Sequence, residues 1–382
     1  MMLSDLPRFL FGDRAAIERL ARSRVPLVIG PFLVLSASLA RNYDGAALPQ
    51  EWTMLTHGLV ASVVNALLLY SLVRLASHRS YAAPPFWKGL ASFVGLFWLT
   101  APMALVYAIP YERFLEPVEA IKANLWTLAA ISVWRVLLIA RVLGVLSGVR
   151  IWCPLFITLF YSDVIVFIGA VLMKAPVVDF MGGMQQAPHE ELLAEVKFAT
   201  GFWSMAAGLP LLIAAAIAKS KFSPAWISVD LASPTLRPSW KVTTFALVLL
   251  VIWVAPLAIT QPEQHLRYRA DSLILQGKAP EALRLLDAHE RHDFPPLWDP
   301  EPRLAYGGDH DKAINGITDA FIAQIPTKAW VRELVLDKML VRVKRQVGHH
   351  NFEYSTQVMA KSPEHYPEAL SPATERLVHL LL

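Results

Sequence analysis

The sequence predicts an all-α protein: a polytopic transmembrane helical bundle of about seven spans, followed by a soluble α-helical C-terminal domain. Three observations predict it. Hydrophobic residues make up 55% of the chain and charged residues 17%, with a mean hydropathy of +0.42, far from the usual soluble mixture. The apolar residues gather into separate runs of roughly the 17 to 25 residues that a helix needs to cross a bilayer. From about Gln261 onward charges return, apolar residues take helical spacing, and no later run could span a membrane. The expected organisation is an amphipathic N-terminal segment at 1–24, a transmembrane domain at 25–260 and a soluble helical-hairpin domain at 261–382.

The first 24 residues are rich in Arg, with acidic residues between, and contain no long apolar core, so no cleaved signal peptide is expected. Asp13 can cap a helix whose Ala16, Ile17, Leu20 and Ala21 share one face, while Arg14, Glu18, Arg19 and Arg22 share another. Such a helix is expected to lie along the cytoplasmic interface, as an orientation signal for the first span or, alternatively, as a lipid-sensing element.

Seven spans follow: Val25 to Ala40, Leu55 to Ala76, Leu90 to Ile109, Leu125 to Leu146, Ile151 to Met173, Phe198 to Ala218 and Val242 to Ile259. The first is short and carries Pro26 and Pro31, though proline is tolerated near a helix start, where its missing N–H has no partner to lose. Trp52, Trp87, Trp126, Trp152 and Trp240 lie at or just before span starts, where indole rings favour the headgroup layer. Thirteen Lys and Arg residues fall on the side of the N-terminus and five on the other, which predicts a cytoplasmic N-terminus. With seven spans the C-terminal domain is then extracytoplasmic, periplasmic in a bacterial inner membrane.

Several function classes drop out. The single cysteine, Cys153, rules out an intramolecular disulfide framework and a cysteine-based zinc cluster. A pI near 9.1 would suit nucleic acid, yet the excess charge sits in the loops of one side, where membrane orientation accounts for it. No nucleic-acid partner and no cofactor is expected. The chain has no Gly-x-Ser-x-Gly elbow, no phosphate-binding glycine loop and no His-Glu-x-x-His helix.

The most informative residues inside the spans are Arg135 and Asp163, because an unpaired charge near the bilayer centre costs at least ~2.5 kcal/mol. Each lies 14 residues from Val149, at the centre of the connection, so an antiparallel hairpin brings them to one depth, roughly 21 Å from the turn. They are expected to pair. Arg141 lies nearer the cytoplasm and can snorkel, and Asn65 is a third candidate member. An ion pair fixing helix register and a polar translocation pathway are the two readings of this group.

The outer loops carry a second group: Arg41, Asn42, Tyr43 and Asp44 after the first span, His57 opening the second, Glu112, Arg113, Glu116 and Glu119 after the third, and His189, Glu190, Glu191 and Glu195 before the sixth. A divalent metal could draw on His57, His189 and carboxylates, but the spacing matches no known metal motif. A charge-balanced solvated surface without metal is the expectation.

In the C-terminal domain Glu263 to Gln276 and Glu281 to His292 read as two helices joined by Gly277, Lys278, Ala279 and Pro280. The series Ala270, Leu273, Gly277, Ala282, Leu283 and Leu286 resembles one tetratricopeptide-type unit. Gly277, Lys278, Glu281, Ala282, Leu283 and Leu286 recur in kind as Gly308, Asp309, Lys312, Ala313, Ile314 and Ile317, an offset of 31 residues. The four prolines between Asp293 and Pro302 break the first helix of the second unit, so the domain is tetratricopeptide-like at most. Pro326 to Val347 and Ser371 to Leu382 supply further helices, and His349 and His350 read as exposed linker residues.

Phe9 to Gly12, Ala16, Ile17, Ser23, Phe32 to Ser36, Ala40, Arg41 and Tyr43 to Gly45 form a pattern that resembles a group of uncharacterised bacterial multispanning proteins. The resemblance implies an inner-membrane location and no reaction. Three functions follow as expectations: a non-enzymatic membrane protein whose residues 261–382 bind an envelope protein, a transporter or channel component using the Arg135–Asp163 pair, or a membrane-embedded enzyme with an outer-face carboxylate site and His57 or His189 as base. The bilayer itself is the one partner common to all three.

Overall fold

The computed structural model describes residues 5–76, 85–172, 188–220, 240–296, 298, 316–317, 319–321, 323 and 325–336; the side chains of 170–172, 188–191, 194, 220, 242 and 243 fall outside the description. Among the described residues every regular element is helical. In chain order these are α1 (Asp5–Leu10), α2 (Arg14–Ala21), α3 (Val25–Asn42), α4 (Thr53–Ala76), α5 (Phe86–Trp98), α6 (Pro117–Ser147), α7 (Trp152–Leu172), α8 (Pro188–Ser220), α9 (Trp240–Val251), α10 (Val254–Leu275) and α11 (Ala279–Ala288). Seven segments built from α3 through α10 are long and apolar enough to cross a membrane, which marks the chain as an integral membrane protein.

Prolines shape two of these segments. The third span is not one α-helix: α5 ends at Trp98 and a 3₁₀ helix runs through Ala101–Ala108. Pro102 has no N–H, and its ring excludes the carbonyl four residues back, so the wider α-helical turn stops and a tighter one continues. The seventh breaks between α9 and α10, with Pro256 tolerated in the first turn of α10. The helix expected to begin at Glu263 is instead the continuation of α10 through Pro262. Thr260 and Gln261 anchor it there: Thr260 Oγ1 donates to the carbonyls of Tyr43 (2.6 Å) and Pro256 (3.1 Å), and Gln261 Nε2 to those of Tyr43 and Ala46, both at 3.0 Å.

The described residues up to Gln261 form one compact unit and those from Pro262 a second. In the first, α3 lies against α4, α5, α9 and the 3₁₀ helix. It meets α5 closely because Gly30 has no side chain; a Cβ there would stand 2.5 Å from the Trp98 ring. The α6–α7 connection closes on Gly148 at φ +68°, with Val149 N–H bonded to the Gly144 carbonyl (3.2 Å) and Gly148 N–H to that of Val145 (3.3 Å).

The N-terminal segment departs from expectation. Asp13 does cap α2, its Oδ1 accepting from Ala16 N–H at 2.7 Å, and Ala16, Ile17, Leu20 and Ala21 are buried together. They are buried against protein, on α5 and α6, rather than lying open along an interface. The last carbonyls of two short helices find donors there: Trp134 Nε1 bonds Leu10 O at 3.0 Å and Ser92 Oγ bonds Ala21 O at 2.8 Å. Protein side chains satisfy these helix-end carbonyls where lipid tails would leave them unpaired.

The second unit has its own core. The C-terminal half of α10 and α11 pack as a hairpin around Ala270, Ile274, Ala282, Leu283 and Leu286. Phe294 stacks on Trp298 (4.6 Å) and meets Trp330 (5.6 Å). Trp298 Nε1 donates to both oxygens of the buried Asp271, at 3.2 and 3.3 Å. A further helix at 329–336 is tied back by Asp287, which accepts from Lys328 N–H (2.8 Å) and Thr327 Oγ1 (2.9 Å). Ile317 joins this core, but Gly308, Asp309, Lys312, Ala313 and Ile314 of the second repeat, and also 337–347, His349, His350 and 371–382, lie outside the described residues.

Candidate functional site

The intramembrane polar residues do not converge. Arg135 and Asp163 form no ion pair. Asp163 faces α8, where Ser204 Oγ donates to its Oδ1 (2.8 Å) and its carbonyl (3.0 Å), and where a Cβ on Gly208 would stand 3.4 Å from Oδ2. Equal spacing from the turn sets distance along the two helices, but each residue also rotates the side chain by about 100°, and that angle points Asp163 at α8. Among the described helices, α7 and α8 share the most extensive contact.

Arg135 points the other way, toward the third span. Its Nε donates to Thr100 Oγ1 at 3.1 Å, and its guanidinium carbon lies 4.8 Å from the centre of the Phe97 ring. Thr100 is almost fully buried, and its hydroxyl proton goes to the Phe97 carbonyl at 2.7 Å, which leaves its oxygen to accept from Arg135. Tyr107, one 3₁₀ helix further on, has Ser132 beside its hydroxyl, and the exposed Arg41 guanidinium lies 6.0 Å from its ring centre.

The other two expected members serve elsewhere. Asn65 bonds back to the Ala61 carbonyl (2.8 Å) and accepts Tyr161 Oη at 2.7 Å, tying α4 to α7. Arg141 does not snorkel freely: its Nε donates to the Gly12 carbonyl at 3.1 Å, holding the α1–α2 turn onto α6. Each of these four residues thus finds a neutral neighbour close by, and shared membrane depth does not gather them.

The outer-face residues split in the same manner. Arg113 grips Asp44 with two bonds, Nη2 to Oδ1 at 2.7 Å and Nε to Oδ2 at 3.1 Å. Tyr43 Oη donates to the Ala108 carbonyl (2.9 Å), its ring lies 5.6 Å from that of Trp253, and burial pushes its phenol above the ordinary value. Glu112 accepts from Asn124, Glu119 pairs with Lys122 one turn on at 2.9 Å, and Glu116 stands at the N-cap of α6 without a side-chain cap bond. His57 and Glu195 are exposed, and the side chains of His189, Glu190 and Glu191 lie outside the description. Among the described residues, no three His, Cys, Asp or Glu side chains gather as metal ligands.

Sequence reading missed Thr100, Phe97, Tyr107, Tyr161 and Ser204, the partners that these charges and amides found. The available signal was small: a hydroxyl inside an apolar run. Compared with known proteins, the chain matches no family model, no curated protein and no solved structure.

Proposed function

We propose that the chain is a membrane-anchored binding protein, in which the spans hold a helical C-terminal unit that captures a protein partner. The observation that carries this reading is the second unit's own core: the C-terminal half of α10 and α11 bury their facing sides on one another and on Phe294, Trp298 and Trp330. Helical hairpins, where they stack, offer extended surfaces for peptides or other subunits. The tetratricopeptide-like pattern and a bacterial inner-membrane setting with this unit outside the cytoplasm belong to the same proposal. The dispersal of Arg135, Asp163, Asn65 and Arg141 into separate structural ties supports an anchoring role for the spans and leaves the paired-charge pathway without its pair.

A photo-crosslinking amino acid at Leu275 or Ile325, the exposed large apolar residues described in the second unit, tests the reading in the full chain. A discrete adduct is expected from these positions and none from Leu212 on the lipid-facing side of α8. Equal labelling from all three, or none from any, removes the proposal.

A further inference from the structure

Two guanidinium groups on the third-span side of the bundle form no ion pair with a carboxylate among the described residues. Arg135 lies within α6, 18 residues after Pro117 and 12 before Ser147, well inside the hydrocarbon layer. It is part-buried, and Thr100 uses only its Nε while Phe97 covers one face. Both Nη groups are left without a protein acceptor among the described residues. Arg41, in the last turn of α3, is also without an ion-pair partner there, whereas its neighbour Asp44 is occupied by Arg113. Between the two arginines stands Tyr107 with Ser132 beside its hydroxyl. The sequence of groups from the outer loops inward is therefore cation, phenol and hydroxyl, cation.

We propose that this set is a binding site for a small monovalent carboxylate entering from the face that carries Arg41. Two parallel N–H donors on one guanidinium edge match the two oxygens of a carboxylate, a geometry in which Arg is favoured over Lys. One negative charge also neutralises Arg135, which lowers the cost of holding that guanidinium inside the bilayer. Tyr107, part-buried, provides aromatic surface for the carbon part of the ligand. Thr100 holds the guanidinium in place, because its hydroxyl is fixed in both directions, donating to Phe97 O and accepting from Arg135. Arg41, at the mouth, draws the anion in and raises its local concentration.

Equilibrium binding to the purified full chain in nanodiscs tests this, with radiolabelled benzoate and acetate as probes, and with chloride and inorganic phosphate as competitors. Saturable benzoate binding is expected, displaced by acetate and unaffected by phosphate. Arg135→Gln should weaken it at least about tenfold, as loss of a charge-assisted bond implies. Arg135→Lys should lose nearly as much, because the fork is gone although the charge stays. Arg41→Gln should weaken it less and make binding less sensitive to salt. Asp163→Asn, on the α7–α8 side, should leave it unchanged. If Arg135→Gln fails to fold, Tyr107→Phe with Arg41→Gln serves in its place, and a combined loss is expected. No saturable carboxylate binding, displacement by chloride or phosphate as readily as by acetate, or binding that survives Arg135→Gln would overturn the proposal.

Discussion

The two sides of the transmembrane bundle solve the same problem differently. On the side of α3, the third span and α6, 50%, 67% and 44% of the apolar stretch is buried in protein, whereas α7 and α8 each bury 17% of theirs. The first side has the aromatic interior of Phe93, Phe97 and Tyr70 and the close approach at Gly30. The second presents Phe167, Phe198, Phe202 and Trp203 outward and relies on one long two-helix contact. Each side contains one charged residue at comparable remove from the α6–α7 turn. The cation sits where aromatic faces and a buried hydroxyl surround it, and the carboxylate sits where a serine and a glycine admit it. The difference teaches that a charge inside a bilayer need not find its opposite; a neutral donor or a ring at the right angle suffices.

Truncation should separate the two sides most clearly. Phe93→Ala, at a residue 1% exposed, is expected to cost about 3 to 5 kcal/mol in reversible unfolding, the usual range for a buried ring. Phe202→Ala, at a residue 50% exposed toward lipid, should stay within about 0.5 kcal/mol. Equal losses would erase the distinction.

Adding a methyl group tests the same contrast from the opposite direction. Gly30→Ala would drive a Cβ into the Trp98 ring and should cost about 1 to 3 kcal/mol. Gly169→Ala meets nothing within 4 Å in α7 and is expected to be neutral, or to stabilise by up to about 1 kcal/mol through helix propensity. Melting temperatures of the two variants in one lipid composition decide it.

Charge neutralisation sharpens the comparison further. Arg135→Gln and Asp163→Asn should be additive within about 0.5 kcal/mol in a double-mutant cycle, because the residues share no partner. Asn65→Ala with Tyr161→Phe, which do touch, should show a coupling of about 0.6 to 1.7 kcal/mol. A large coupling in the first cycle would restore the ion pair inferred from spacing.

The smallest expected effect lies at the N-terminal segment. The Arg19 guanidinium bonded to Asp5 holds that carboxyl below its ordinary value of 3.8, against the opposing effect of burial. Since the folded value is the lower one, the pair's contribution is complete above about pH 5 and is lost as the pH falls through the folded value. Hydrogen exchange of α1 and α2 should therefore quicken only in strong acid, and Asp5→Asn should remove that step. Arg19 is half exposed, so salt should shrink the effect.

Residue order alone determined the class, the approximate ends of the seven apolar segments, the cap at Asp13 and the hairpin turn at Gly277, since each depends on composition or on neighbours within one helical turn. It also carried the break in the third span, in Pro102, although the apolar run around that proline reads as continuous. Tertiary packing alone decided which way each side chain turns about its helix axis. That angle put Thr100 and Phe97 under Arg135, Ser204 under Asp163, Tyr161 over Asn65 and the α1–α2 turn under Arg141. The physical reason is that hydropathy and charge count register position along the membrane normal, where lipid and water differ by several kcal/mol, whereas the azimuth of a helix inside an apolar bundle is set by van der Waals fit and single hydrogen bonds between segments far apart in sequence.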